Sequence, residues 1–252
     1  NRVWSHHFGS PLVKTPSDFG LRADPPTHPE LLDWLSSELI AHVWSLKWLH
    51  RELMLSATWR QGSTEFRVPS SESDKRGVLV TRNSSPDPEN RLLAHMNRQR
   101  LDWESLRDSL LFASGRLDRS LGGPATDILK APFSNRRTIY GFIDRQNLPL
   151  TFRNFDFASP DTHTPSRFVT SVPQQTLFLR NSPFLIELSR AFAGRTLELE
   201  GLFQLAYGRV PTAEEIQLAK QFLAGAEVES RLTSWEQLAQ VLLLSNEFQF
   251  ID

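Results

Sequence analysis

The residues best suited to chemistry lie between positions 154 and 181. They combine carboxylates, an imidazole, a guanidinium and two amides within a short stretch: Asp156, Asp161, His163, Arg167, Gln174 and Gln175. Carboxylate oxygens and imidazole nitrogens can bind metal ions or polar substrates. Pro173 is typical of the first turn of a helix, whose free N–H groups can bind an anion. One interpretation of this segment is therefore a polar pocket for a substrate or an ion.

The second interpretation of the same residues is a buried hydrogen-bond network. Polar side chains are costly to bury unless they bond to one another or to a ligand. A network that fixes an irregular loop to neighbouring helices therefore needs the same residue types as a pocket. Convergence of these side chains in an open cleft would favour an enzyme. Enclosure under helices with every partner satisfied would favour a structural role.

Two adjacent arginines, Arg136 and Arg137, are candidates for anion binding. Guanidinium groups bind carboxylates and other anions through paired hydrogen bonds, so an acidic glycan or a carboxylate of a partner would suit them. The alternative is ion pairing within the chain, with Asp144, Asp156 and Asp161.

Composition excludes several classes of function. The formal net charge of the 252 residues is −1, and no basic stripe interrupted by aromatic residues occurs, so nucleic-acid binding is not expected. The chain has no cysteine, which excludes thiol catalysis, thiolate zinc sites and covalent haem attachment within it. No apolar run approaches the roughly 20 residues that span a bilayer. His6 and His7 are adjacent and would point about 100° apart on a helix, so no metal site is assigned.

Helical patterns dominate the elements that must position these residues. Apolar residues recur at helical spacing in most of the chain, and helix-start signals precede several of these runs. We therefore predict a mainly α, multi-helical fold in a single domain spanning residues 1–252. A long polar segment at about 62–86 lacks periodicity and is predicted to be a mobile loop. The last helices, at about 196–252, are predicted to form a C-terminal helical module.

One small β-hairpin is predicted near residues 136–155. Residues 136–143 are rich in β-branched and aromatic side chains, and residues 150–155 offer a partner strand. This hairpin would place the two arginines beside the polar segment.

Eleven motifs follow one another in a fixed order along nearly the whole chain. They are NRVWSHHFG at 1–9, TPSDFG at 15–20, HPELLDWL at 28–35, SLKWLHR at 45–51, DPENRLL at 87–93, RLDWESLRD at 100–108, SGRLD at 114–118, DRQNLP at 144–149, FDFASPD at 155–161, VPQQTLFL at 172–179 and SNEF at 245–248. In this order they resemble the domain of unknown function 1553.

The resemblance implies a context rather than a reaction. Domains of this family typically end large bacterial proteins of the planctomycete type, after a c-type cytochrome module and a second domain of unknown function, numbered 1549. The resemblance therefore implies an extracytoplasmic (periplasmic or secreted) location. No haem is expected in this chain, because any haem c would belong to an upstream domain. The family provides no catalytic residues to carry over.

Two hypotheses about function follow. In the first, the chain is an accessory or assembly domain that packs against upstream domains of the same polypeptide. In the second, it is an enzyme domain that acts on carbohydrate or another extracytoplasmic substrate, with its pocket at residues 154–175.

A further motif occupies the C-terminal region. YGRVPTAEE at 207–215, followed by SNEF at 245–248, is similar to small helical modules of secreted bacterial proteins. The pattern predicts a tight turn followed by a capped helix.

Overall fold

A computed structural model describes residues 1–62, 67–68, 78–79, 87–225 and 231–251. The chain divides into two compact units, an N-terminal unit ending at Gln99 and a C-terminal unit of Arg100–Ile251. Each unit is described by itself, and the single domain spanning residues 1–252 stays a prediction. Within the described ranges there are eleven α-helices and four strands of two residues each. The predicted mainly α fold is therefore confirmed.

The N-terminal unit contains three helices, α1 (Arg2–Phe8), α2 (Pro29–Ala41) and α3 (Leu46–Leu55). Its core is one apolar cluster: Trp4, Phe8, Leu12, Leu35, Leu49, Leu53, Leu93 and Met96. Two short strands, β1 (Arg67–Val68) and β2 (Val78–Leu79), pair antiparallel. They lie within the segment predicted as a mobile loop at about 62–86, whose remaining residues after Gly62 fall outside the described ranges.

The C-terminal unit is built from eight helices. These are α4 (Trp103–Ala113), α5 (Leu150–Asn154), α6 (Pro173–Asn181), α7 (Pro183–Ala193), α8 (Leu199–Tyr207), α9 (Ala213–Gly225), α10 (Ser234–Leu244) and α11 (Asn246–Gln249). Strand β3 (Gln99–Arg100), whose first residue is the last one of the N-terminal unit, and strand β4 (Phe250–Ile251) form a second two-stranded sheet.

The core of the C-terminal unit draws on helices from both its ends. It includes Leu110 of α4, Phe192 of α7, Leu202 of α8 and Leu243 of α10, each fully buried or nearly so. Three helices of the predicted C-terminal module at about 196–252, α8, α10 and α11, therefore bury apolar residues in the same cluster as α4 and α7.

Local capping explains where several helices begin. The Asp102 side chain accepts a hydrogen bond from the Ser105 N–H (2.8 Å) at the start of α4. At α10, Thr233 and Glu236 form a reciprocal capping box. Such caps satisfy N–H groups that have no partner inside the helix.

The β-hairpin predicted near residues 136–155 is wrong in position. Thr138–Tyr140 form a single turn of 3-10 helix, and the proposed partner strand is the helix α5. Asp108 of α4 accepts hydrogen bonds from both the backbone N–H and the hydroxyl of Thr138, each at 2.7 Å. This tertiary contact holds the β-branched segment against α4, where it makes only isolated bridges to other loops. In the described part of the chain the antiparallel hairpin is the β1–β2 pair.

A single arginine joins the two halves of the C-terminal motif. Gly208 ends α8 with a φ of 72°, and the next residue, Arg209, binds Glu215 (2.6 and 2.9 Å) and Glu247 (2.6 and 2.7 Å) through paired hydrogen bonds. Glu215 also accepts a bond from the Thr212 N–H at the start of α9. The prediction of a tight turn followed by a capped helix is confirmed, and the distant SNEF motif supplies the second carboxylate.

We expect a measurable acid sensitivity from this contact. The Arg209 guanidinium and the Thr212 N–H lower the pKa of Glu215 from 4.5 to about 2. A carboxyl whose pKa is depressed in the folded protein stabilises it above the unfolded pKa, and this stabilisation is lost as the pH falls from 4.5 toward 2. In Arg209→Met, carboxyl NMR titration should show the pKa of Glu215 rising toward 4.5. In Arg153→Met, a surface control, it should not change. An unchanged pKa in Arg209→Met would contradict this account.

Candidate functional site

Gln175 is the only one of the six predicted pocket residues that is buried, with 2% of its surface exposed. Its Oε1 accepts a hydrogen bond from an Arg100 guanidinium N–H (2.7 Å), and its Nε2 donates to the Asn154 carbonyl (2.7 Å). Arg100 also donates to the Thr170 carbonyl (3.0 Å). Gln175 therefore ties the start of α6 to the end of α5 and to the loop before α6. Its neighbour Gln174 is exposed.

Asp156 fixes the same loop from the other side. Its carboxylate accepts hydrogen bonds from the backbone N–H and the hydroxyl of Thr170, both at 2.8 Å. The residue has a φ of 56°, a left-handed conformation that Asp tolerates better than most residues. The backbone therefore turns sharply at Asp156, directly after α5.

Asp161 and Arg167 bind other partners. Asp161 accepts a hydrogen bond from Arg145 Nε (3.0 Å), and both side chains are more than half exposed. Arg167 makes two parallel hydrogen bonds to the Glu104 carboxylate (2.8 and 2.7 Å), and its guanidinium lies 4.9 Å from the centre of the Phe157 ring. The hydrogen bonds to Glu104 raise the pKa of Arg167.

The predicted pocket residues therefore take part in several separate contacts and do not share one site. Asp156 and Gln175 are linked through the loop that contains Thr170. Asp161 and Arg167 each pair with a different oppositely charged side chain, and His163 is exposed. The bonds of Asp156 and Gln175 hold the loop before α6 in place, as the second interpretation expects, but the six residues do not form one buried network, because only Gln175 is buried.

The two predicted anion-binding arginines also have partners within the chain. Arg136 donates to the carbonyls of Pro124 (2.9 Å) and Gly122, and its guanidinium lies 4.1 Å from the centre of the Tyr140 ring. Arg137 pairs with Asp108 through Nε at 3.2 Å. The carboxylate partner, Asp108, is not one of the three that the ion-pairing alternative named, Asp144, Asp156 and Asp161.

The structure adds a cleft of about 550 Å³ beside α4. One wall is polar and includes Glu104, Ser105, Asp108 and Ser109, while Ile139, Ile143, Phe152 and Phe157 contribute apolar surface. The sequence carried a signal for the polar wall that was missed. Glu104 and Asp108 are four positions apart, as are Ser105 and Ser109, so each pair lies along one side of a helix.

The two carboxylates of the cleft, Glu104 and Asp108, are both paired with arginines. Glu104 accepts two hydrogen bonds from Arg167, and Asp108 accepts bonds from Arg137 and Thr138. Both carboxylates therefore accept hydrogen bonds within the chain, and their remaining lone pairs can accept donor groups of a ligand.

Beneath the cleft lies a completely buried cation, Arg107. It donates to the carbonyls of Arg136 (2.9 Å) and Ser134 and to the Thr138 hydroxyl (3.2 Å). Burial lowers the pKa of Arg107 to about 10, and the charge of Asp108 acts in the opposite direction. Arg107 therefore holds the 134–138 segment against α4.

The N-terminal unit carries a different surface, at the turn between α2 and α3. We call Ile40, Val43, Trp44 and Leu46 the α2–α3 tip, and these side chains are 58%, 85%, 68% and 56% exposed. The Trp44 N–H bonds to the Leu39 carbonyl (2.8 Å) and the Val43 N–H to the Ile40 carbonyl (3.0 Å). This is the Schellman pattern, in which Gly usually occupies the left-handed position. Here that position is Val43, with a φ of 55°.

The described residues contain no group of three or more His, Asp or Glu side chains placed to hold a metal ion. Among the helices that the structure describes, none is long and apolar enough to cross a membrane.

Fold and contacts together define a mainly helical protein whose polar side chains largely fix its loops and whose N-terminal unit exposes an apolar tip. The chain belongs to the PSD1 family, described as proteins of unknown function (DUF1553), whose sequence model matches residues 1–223. The resemblance found in the sequence motifs is thereby confirmed. Comparisons with curated proteins and with solved structures give no match.

Proposed function

We propose that this chain is an assembly domain that binds another domain through the α2–α3 tip. The observation that carries the proposal is the pair Val43 and Trp44, two large apolar residues that are both exposed and both in the left-handed backbone region, with φ of 55° and 57°. A non-glycine residue costs about 1–2 kcal/mol in this conformation, and a β-branched one is a genuine outlier there.

Local stability does not explain this choice of residues. Gly or Asn at Val43 would close α2 with less strain, and a polar residue at Trp44 would expose less apolar surface to water. Strained residues persist where the surrounding structure or a function requires them, and exposed aromatic anchors are typical of the centres of protein interfaces. Val43 and Trp44 therefore suit burial against a partner.

The partner that we propose is an upstream domain of the same polypeptide. The family resemblance supports this choice, because it implies a position after a c-type cytochrome module in an exported bacterial protein. The proposed setting is therefore extracytoplasmic, in a secreted or periplasmic protein linked to a cytochrome. Haem would be held by the upstream module, since this chain has no cysteine for covalent attachment.

A binding experiment with matched variants tests the proposal. The chain is titrated with the separately expressed upstream region of its polypeptide in a calorimeter. We expect Trp44→Ser to weaken binding by at least about tenfold, which corresponds to about 1.4 kcal/mol. Trp34→Ser is the control, because Trp34 is also an exposed tryptophan of this unit, at 46%, but lies outside the tip. Equal affinities of the two variants, or no binding by the unmodified chain, would contradict the proposal.

Val43→Gly should separate stability from binding. Removing the side chain relieves left-handed strain but adds flexibility to the unfolded chain, so we expect the free energy of unfolding to rise by about 0.5–1 kcal/mol. Binding of the upstream region should weaken at the same time. Urea unfolding measures the first effect.

Gly208→Val is the reverse control for that experiment. Gly208 ends α8 with a φ of 72°, and a Cβ at this position meets no atom within 4 Å. Its substitution should therefore lower stability through backbone strain alone. A loss of stability in Val43→Gly would show that the side chain of Val43 serves packing within the unit.

The cleft supports a second candidate function, an enzyme or binding domain for carbohydrate. Fixed carboxylate acceptors beside the Phe157 ring match the hydroxyl groups and apolar faces of a sugar. Ser109→Tyr would fill the cleft and should abolish binding in titrations with oligosaccharides. Release of reducing ends would identify an enzyme, binding without release would identify a binding domain, and no binding would exclude both.

A further inference from the structure

Two imidazoles face each other on the surface of the N-terminal unit. His7 lies in the last turn of α1 and His50 lies in the middle of α3, and the His7 Nε2 and His50 Nδ1 atoms are 2.7 Å apart. The ring centres are 5.0 Å apart, which is close to the largest value that is possible at this nitrogen separation. Each of the two nitrogens therefore points almost straight at the other, as in a hydrogen bond.

The bond between these rings depends on how many protons the pair carries. A neutral imidazole has one N–H and one acceptor nitrogen, whereas a protonated imidazole has two N–H groups and no acceptor. With both rings neutral, or with one of them protonated, one of the facing nitrogens can donate and the other can accept. When both rings are protonated, two N–H groups face each other and two positive charges repel, so the bond is lost.

The surroundings of His7 disfavour its protonated form. Burial lowers the pKa of His7 below its ordinary value of 6.5, and the positive charges of His50 and His6 act in the same direction. No carboxylate is among the groups that shift this pKa. Two further contacts come from uncharged groups of other segments. The Trp59 ring lies edge-on to the imidazole with ring centres 5.0 Å apart, and Gln99 Nε2 donates to the His7 carbonyl (3.0 Å).

The pair joins two helices that also share a core. Phe8, next to His7, is fully buried in the cluster that contains Leu49, the neighbour of His50. The Trp59 ring packs edge-on against both His7 and Phe8. Loss of the bond between the imidazoles would therefore loosen the last turn of α1 against α3 and change the surroundings of the Trp59 ring, while the core contacts remain.

We propose that the His7–His50 pair is an acid-sensitive contact that holds α1 to α3 and releases the last turn of α1 when both imidazoles are protonated. The sign follows from linkage. A histidine whose pKa is lowered in the folded protein contributes stability that is fully present above 6.5, and this stability is lost as the pH falls from 6.5 through the lower folded pKa. The inference concerns the N-terminal unit alone and does not depend on the assembly function.

The test is an NMR titration of the whole chain from about pH 8 to about pH 4, which spans the range in which histidines change charge. The His7 ring signals should titrate with a midpoint below 6.5, and the Trp59 indole signal should shift with the same midpoint. The signals are assigned by their loss in His7→Gln and Trp59→Phe. Amide hydrogen exchange in the last turn of α1, corrected for its intrinsic pH dependence, should accelerate by at least about threefold as the pair titrates.

His50→Gln separates this contact from other effects of acid. A glutamine amide can donate to the neutral His7 ring and accept from the protonated one, so the contact survives in both states. The midpoint of His7 should rise toward 6.5, and the acid acceleration of exchange in α1 should disappear. His28→Gln, which removes a different imidazole of the same unit, is the control and should change neither result.

A His7 midpoint at or above 6.5, or a midpoint that is unchanged in His50→Gln, would overturn the proposal. Acid acceleration of exchange in α1 that persists in both His50→Gln and His7→Gln would overturn it as well. Because the two variants lie on different helices, the comparison stays decisive even where one of them folds poorly.

Discussion

Replacing Arg107 with Ala is expected to lower the free energy of unfolding of the C-terminal unit by about 3–5 kcal/mol. The side chain is fully buried and donates to three oxygens of the 134–138 segment. Its removal leaves those acceptors without their donor, and it opens a cavity beside Phe184. Each buried acceptor that loses its partner costs about 1–3 kcal/mol. Amide hydrogen exchange in α4 and α7 of the intact chain measures the change.

Arg107→Met separates the two contributions. Met fills much of the space without donating hydrogen bonds, so we expect a loss of about 2 kcal/mol, which reports the bonds rather than the cavity. Arg153→Ala, an exposed arginine on α5, is the matched control and should change stability by less than about 0.5 kcal/mol. A loss below about 1 kcal/mol in Arg107→Ala would show that the segment is held by other contacts.

The second large effect concerns two adjacent glutamines. Gln175→Leu should lower the free energy of unfolding by about 2 kcal/mol, because the partly buried Asn154 carbonyl and an Arg100 N–H lose the partner that the buried Gln175 provides. Gln174→Leu changes the same residue type one position earlier, on the exposed side of α6, and should stay within about 0.5 kcal/mol. Urea unfolding of both variants provides the comparison.

The same pair of variants tests the alternative role of this region. If Gln175 served substrate binding, its loss would change ligand affinity and leave stability nearly constant. If Gln175 instead holds the loop in place, Gln175→Leu lowers the free energy of unfolding and makes the loop around Thr170 more accessible to a protease. Equal stability of Gln174→Leu and Gln175→Leu would contradict the structural role.

Several side chains that the sequence suggested for binding or catalysis form hydrogen bonds within the chain. The partners of Arg167 and Gln175 are 63 and 75 positions away, at Glu104 and Arg100. No local sequence pattern predicts such pairs, because hydrogen bonds between distant side chains depend on how the helices pack. The spacing of Glu104 and Asp108 did indicate a shared helix side, but not which arginines would meet it.

The misplaced hairpin has a similar physical origin. Residues 136–143 have strand-like composition, but β propensity mainly reflects how well a residue fits a half-buried surface. In this protein the segment meets such a surface on α4, where Asp108 accepts hydrogen bonds from the backbone N–H and the hydroxyl of Thr138. The segment therefore forms a 3-10 turn instead of pairing with residues 150–155, which form α5.

By itself, the sequence determined the mainly helical class, the family and several helix starts. These depend on apolar periodicity, on ordered motifs and on caps such as Asp102, all of which act within a few residues. Only the tertiary structure decided the partners of the arginines, the cleft beside α4 and the exposure of Val43 and Trp44. Burial and hydrogen bonding between distant segments arise when helices pack, and packing brings together residues that no local pattern relates.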